Sequence, residues 1–161
     1  MALNAYAELL VDGELLDGDT SVNEMGGIDV SSDHIECFSV SWGSRLNNRT
    51  PSRRRRNKVN KQPITILKPI DKTTPLLYQA IATNQRIDCT LKIFGINSDT
   101  GETVHAFTLK LDQATLISLK SLSPNTLNAD TALLPLTDQL ELLAQTLTYT
   151  DEINGIEYED R

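Results

Sequence analysis

His34 and His105 are the two histidines of a 161-residue chain, and neither sits at metal-ligand spacing from a cysteine, a carboxylate or the other histidine. Both are expected to be surface or interface side chains, and no metal site is assigned. Cys37 and Cys89 lie far apart in strand-like sequence with no Cys-x-x-Cys motif. They read as buried reduced thiols, because free cysteine packs as a small hydrophobe. The serines occupy alternating strand positions without a Gly-x-Ser-x-Gly elbow, and the chain has no glycine-rich phosphate loop or dinucleotide fingerprint. A pairing of Asp71 with the acidic C-terminal residues stays open, since spatial neighbours are invisible in a sequence. No catalytic residue and no cofactor is assigned; the expected protein is not an enzyme.

Charge gives the sharper signal. Of the 15 basic residues eight lie between Arg45 and Lys61, a stretch without an acid, which leaves seven against all 22 acidic residues elsewhere. Residues 1–44 hold nine acids and no lysine or arginine. In a chain of net charge −7, an acidic body with one basic loop points to a partner for that loop. Arg49, Arg53, Arg54, Arg55, Arg56 and Lys58 could neutralise phosphates, so a nucleic-acid-binding domain is one reading. It is disfavoured by the acidic remainder and by the lack of any aromatic residue between Asn47 and Asn60 to stack on a base. The favoured reading sends the loop to the acidic surface of a neighbouring subunit, where complementary charge fixes register. Asn48-Arg49-Thr50 matches a glycosylation sequon, which carries no weight without an export signal.

The elements that must present this loop are mostly strands. Period-2 alternation predicts strands at 5–11, 34–42, 63–68, 89–94, 106–111, 114–119 and 140–149. The last has a helical alternative as far as Gln145, against which its β-branched and aromatic end, Thr146 to Thr150, argues. Asp12-Gly13 is a turn pair, residues 17–27 a polar loop, and Ser98 to Glu102 the turn of a hairpin. Thr74 is the expected cap of one short helix, with Pro75 in its first turn, Leu77 and Ile81 stacked one turn apart, and Asn84 ending it in the left-handed conformation. The expected fold is mainly β, a β-barrel of two packed antiparallel sheets with one short α-helix, forming a single domain over 1–161 with a basic extended loop at about 44–61.

In 34–42 the side chains of Ile35 and Cys37 oppose those of Phe38, Val40 and Trp42, so both strand faces are apolar and part of the outside is expected to be covered by the helix or by another subunit. No apolar run approaches the roughly 20 residues of a membrane span. The N-terminus lacks a basic n-region and is soon followed by Glu8 and Asp12, so cytoplasmic synthesis without a signal peptide is expected.

The runs Ile35-Glu36-Cys37-Phe38-Ser39-Val40-Ser41-Trp42-Gly43 and Pro69-Ile70-Asp71-Lys72-Thr73-Thr74-Pro75-Leu76-Leu77-Tyr78-Gln79-Ala80 resemble the Hcp (haemolysin-coregulated protein) family of type VI secretion systems. The second is similar to that family's strand-to-helix signature, Ile-Asp-Lys-x-Ser-Pro-x-Leu with an Ala further on, which makes Asp71, Pro75, Leu77 and Ala80 signature positions beside Trp42 of the first run. The resemblance continues through Lys110-Leu111 and Ser121 to Pro124. It ends at Leu147-Thr148-Tyr149-Thr150, where Tyr149 replaces the Trp of an Ile-Thr-Trp-Thr strand. Other departures are a long stretch from Leu10 to Asp29, Asn84 where Gly is common, and the strongly basic loop.

The resemblance implies a barrel with one helix that assembles into a homo-hexameric ring. Rings would stack into the inner tube of a contractile injection machine, similar to a phage tail tube, with a contractile sheath outside, a VgrG-type spike at the tip and secreted effectors in the lumen. It implies a cytoplasmic protein that is secreted on firing without a signal peptide and has no membrane partner. A tail-tube protein of a related phage-like contractile system is the alternative. Residues 44–61 would be the family's extended loop that contacts the adjacent ring. Arg49, Arg53 to Arg56 and Lys58 are then the ring-stacking residues, directed at acids in 12–36 or at Glu157, Glu159 and Asp160.

Overall fold

The computed structural model describes residues 2–47 and 58–161. Alternation at the N-terminus produces β1 (Ala5–Val11), whose Ala5, Ala7, Leu9 and Val11 enter the core. Asp12 and Gly13 both have positive φ, 50° and 85°, the conformation a two-residue hairpin turn demands, and they return the chain into β2 (Glu14–Leu15). At the end of the stretch expected to be a loop, and just beyond it, β3 (Glu24–Met25) and β4 (Ile28–Asp29) form a small hairpin over Gly26 and Gly27. Then follow β5 (Ile35–Cys37), β6 (Ser39–Ser41), β7 (Ser44–Asn47), β8 (Lys58–Lys61), β9 (Ile64–Pro69), α1 (Thr74–Ala82), β10 (Arg86–Ile96), β11 (Thr103–Leu122), β12 (Thr137–Leu143), β13 (Thr146–Asp151) and β14 (Ile156–Asp160).

Ten of these strands share one antiparallel hydrogen-bond network, in the order β2-β1-β10-β11-β12-β9-β6, with β5 on β1 and with β13 joining β11 to β14. The long β11 belongs to both walls of the barrel. Its residues 103–115 pair with β10 and 107–112 with β13, whereas 115–122 pair with β12. At the corner Gln113 adopts φ 54° and the register slips between Leu116 and Ser118, the irregularity by which a strand turns from one sheet into another. Expected as two strands, 106–111 and 114–119, this segment is therefore one bent strand. Opposite the same corner the expected strand 140–149 is broken at Ala144 and Gln145, because Leu143 still pairs with Thr115 while Thr146 already pairs with Asp112.

The expected strand 34–42 is also two. Ile35 to Cys37 pair with β1, and then the Phe38 amide donates to the Leu67 carbonyl at 2.7 Å, so that Ser39 to Ser41 pair with β9 instead. The chain hands over from one end of the sheet to the other within seven residues, which draws the sheet around its core. That core is aliphatic, with Ile64, Ile66, Leu77, Ile87, Leu91, Leu109, Leu111, Leu140 and Leu142 at 0–1% exposure. Each such side chain contributes about 1.5–3 kcal/mol by leaving water.

The helix begins one residue earlier than expected. Thr73 is its cap residue and Pro75 lies in the first turn, where its missing N–H costs nothing. Thr74 does not cap because its hydroxyl is taken by Asp138 and by the Asp71 amide. At the far end Asn84 has φ 51° and the Gln85 amide reaches back to the Ala80 carbonyl at 2.9 Å, closing the helix as its sequence foretold. Among the described residues no helix is long and apolar enough to cross a membrane.

Candidate assembly surface

Strand phase decides what lies behind α1. Lys68 follows Ile64 and Ile66 on the inward face of β9, and Asp138 precedes Leu140 and Leu142 on the inward face of β12; the two are direct cross-strand partners. The Lys68 ammonium is 3.0 Å from Asp138 Oδ2 and 3.0 Å from Asp71 Oδ1, and it also donates to the Pro69 carbonyl at 2.9 Å. Asp138 accepts from the Thr74 and Ser121 hydroxyls as well. Since the single Ser121 proton is used there, the Tyr78 phenol, 2.8 Å away, must be its donor. The network thus runs from exposed Tyr78 on α1 to the centre of the barrel wall. Burial opposes ionisation of Asp138, but hydrogen bonds from Ser121, Thr74 and Lys68 and the Lys68 charge prevail and hold its carboxyl below the usual range.

Asp71 takes Lys68 and the Thr73 amide and hydroxyl on Oδ1; its buried Oδ2 accepts no hydrogen bond from any described residue. The possibility that Asp71 pairs with the acidic tail is thereby corrected, because its charge is met three residues away. Leu77 and Ala80 fill the space beneath the helix at 0% and 1% exposure. Asp71, Leu77 and Ala80 thus hold α1 against the sheet, while Pro75 stands exposed in its first turn. Lys68, Thr74, Ser121 and Asp138 escape a reading by residue type, since lysine and aspartate usually mark the surface. For Lys68 and Asp138 the in-phase spacing with Ile66 and Leu140 is the signal that identifies them; Thr74 and Ser121 carry none.

His34 corrects the expectation of a surface or interface histidine. It is 6% exposed, with Nδ1 2.8 Å from the Ser32 carbonyl and Nε2 3.0 Å from Lys92 Nζ and 3.2 Å from Glu8 Oε1. The long N-terminal stretch crosses its backbone: the Gly18 amide donates to the His34 carbonyl, and a Cβ at Gly18 would lie 2.7 Å from that oxygen. His105 is partly buried, 5.2 Å from Phe94 between ring centroids, and burial, helped by the Lys92 charge and opposed by Glu152, lowers its pKa. Cys37 and Cys89 are free and buried, as expected. Burial pushes the Cys37 thiol up to about 12 against the pull of Lys68, and it raises Cys89 as well. These sulfurs stay protonated and inert.

The outer face is built differently. Trp42 stacks on Phe107 at 5.8 Å with the rings 12° apart, and Tyr149 stacks on Tyr158 at 6.3 Å. Phe38 and Trp42 remain 39% and 38% exposed, and Tyr158 64%. Such an apolar exterior is suited to contact with other chains. Above it the hairpin of β7 and β8 projects, with Leu46 and Val59 each 54% exposed. Its base is tied down by Lys61, whose ammonium donates to the Gln145 and Asp160 carbonyls at 3.2 and 3.1 Å and lies 3.6 Å from Asp160 Oδ1. Arg49 and Arg53 to Arg56 lie outside the described residues, as does the side chain of Lys58, whose backbone opens β8.

A family model described as type VI secretion system effector, Hcp, matches residues 22–151. Comparison with curated protein sequences gives no match. Among solved structures the chain is similar to an Hcp protein at 17% identity and TM-score 0.81, with 99% of this chain and 97% of that one covered. It is similar to an Hcp1 mutant from the E. coli EAEC 042 pathovar at 21% identity and TM-score 0.79, with coverage of 99% and 98%. Hcp3 from Pseudomonas aeruginosa, described as a secreted protein, superposes at TM-score 0.71 and 16% identity over 99% of this chain and 97% of that one.

Proposed function

The chain belongs to the Hcp family of type VI secretion systems, and from that membership we propose that it is a structural subunit of the secretion tube rather than an enzyme. Homo-hexameric rings of the barrel stack into an inner tube that a contracting sheath expels behind a VgrG-type spike, with effectors in the lumen. The observation that carries this reading is the family match over residues 22–151, which includes the Asp71 to Ala80 segment and the strand-switching segment at Phe38. The apolar exterior at Phe38 and Trp42 supports assembly with further copies. On this reading the chain folds as one domain, waits in the cytoplasm and leaves with the tube.

The ring-stacking role falls to the loop between β7 and β8, with Arg49, Arg53, Arg54, Arg55, Arg56 and Lys58 directed at acids of the next ring. Its two ends are held side by side by four paired residues of each strand, and Lys61 fixes them to the body, which supports a projecting arm with a set origin. Acids in 12–36 and at Glu157, Glu159 and Asp160 are the complementary surface. Native mass spectrometry of the purified chain tests the assignment: a discrete hexamer is expected, and a strict monomer at micromolar concentration overturns it.

A further inference from the structure

The loop between β11 and β12, residues 123–136, carries the two most exposed large hydrophobic side chains described, Leu127 at 95% and Leu133 at 97%. Leu134 and Leu136 beside them are at least half exposed. The loop is shaped by its own hydrogen bonds. Asn125 Oδ1 accepts the Leu127 amide at 2.9 Å, the Asn125 carbonyl accepts the Thr131 hydroxyl at 2.7 Å, and the Asn128 carbonyl accepts the Ala132 amide at 2.9 Å. It therefore holds its leucines out in water, a placement that burial of apolar surface would reverse.

On different elements the chain has a groove of about 280 Å³ walled by Leu3, Phe38, Val40, Trp42 and Ile93, with Ser39 its single polar side chain and no charge. A groove lined by apolar side chains and without charge suits aliphatic side chains, and Leu127 and Leu133 are the most exposed of these among the described residues. Leu127 and Leu133 do not fill the groove of their own chain, since both stand in solvent.

We infer that the leucine loop of one subunit seats Leu127 and Leu133 in the groove formed by Phe38, Val40 and Trp42 of the neighbouring subunit in the same ring. Knob and hole are distinct patches, so the contact is heterologous, the kind that closes into a ring when the rotation per subunit divides the circle. This inference rests on the reading that the chain forms rings and names the surfaces that join them.

The test is the double variant Leu127→Asp/Leu133→Asp, compared with wild type by native mass spectrometry and light scattering over a dilution series. Both residues lie outside the core, so the circular dichroism, and the unfolding midpoint of the dissociated subunit, should match wild type. The concentration at which rings dissociate should rise at least tenfold, and Phe38→Asp should reproduce the effect from the other side. As an independent measurement, the pair Ser39→Cys and Leu133→Cys should give, on oxidation, a ladder of covalent oligomers that neither single variant gives. Rings as stable as wild type in Leu127→Asp/Leu133→Asp, or intact rings that fail only to stack, would overturn the seating. A wild-type chain that is itself monomeric would overturn the ring reading instead.

Discussion

Lys68 and Asp138 face each other across β9 and β12 with Nζ 3.0 Å from Oδ2, and neither side chain is more than 1% exposed. A lysine and an aspartate in a barrel wall are tolerable only because every neighbour contributes: Asp71 adds a second carboxylate, and Thr74 and Ser121 occupy the remaining lone pairs of Asp138. Breaking such a pair strands a charge, whereas replacing both members removes the need for it. Lys68→Met or Asp138→Leu alone should each cost about 3–5 kcal/mol in urea unfolding. The double variant Lys68→Met/Asp138→Leu should lie closer to wild type than Lys68→Met, because that single change leaves two buried carboxylates without a cation and the double leaves only Asp71.

The same carboxylate dictates a pH dependence. Its folded pKa lies below the ordinary 3.8, so the unfolded chain binds the proton first as pH falls. The stabilisation is complete above the unfolded value and disappears as pH drops through the folded one. The stability gap between wild type and Asp138→Asn should therefore be flat above about pH 5 and close progressively below about pH 4. Titration of the exposed carboxylates cancels in that difference, so unfolding curves of the two proteins at matched pH measure it directly.

Neither thiol should react in the native protein. Cys37 and Cys89 are buried, and burial raises both pKa values. Ellman's reagent at pH 8 should label no sulfur until guanidinium is added, and then two per chain. Reaction of either cysteine in buffer would mean that β5 or β10 opens on the time scale of labelling.

Charge reversal separates the two levels of assembly. Replacing Arg53, Arg54, Arg55 and Arg56 with glutamate should leave rings intact and impair tube growth, and added salt should weaken wild-type stacking in the same way, since exposed ion pairs are screened. Sedimentation of tubes against rings from low to physiological salt reads both effects. Loss of the ring itself would remove the loop from the stacking role.

The sequence is legible where one side chain answers to one periodicity. β1 runs over the residues that alternation marks, the turn at Asp12 and Gly13 has the positive φ values its residues permit, and Asn84 ends α1 in the left-handed region. It is less legible where pairing partners change. Nothing local in Ile35 to Ser41 tells that Phe38 will bond Leu67 instead of continuing along β1, and nothing local in 106–119 tells that a bend at Gln113 is tolerated within one strand. Those outcomes are set by partners on other strands, such as Leu67 for Phe38 and Leu143 for Thr115. The close crossing of the chain over the His34 backbone depends likewise on Gly18, where a Cβ would lie 2.7 Å from the His34 carbonyl.

The handover at Phe38 gives the barrel a latch. Three residue pairs join β5 to β1 and three join β6 to β9, whereas β10 and β11 share ten. A wall opens first where the fewest bonds must part together, so the amides of Ile35 to Ser41 should exchange with solvent before those of β10 and β11, through an opening smaller than global unfolding. A ring neighbour lying across Phe38 and Trp42 would cover this latch, and a subunit would then be harder to pry open inside an assembly than alone.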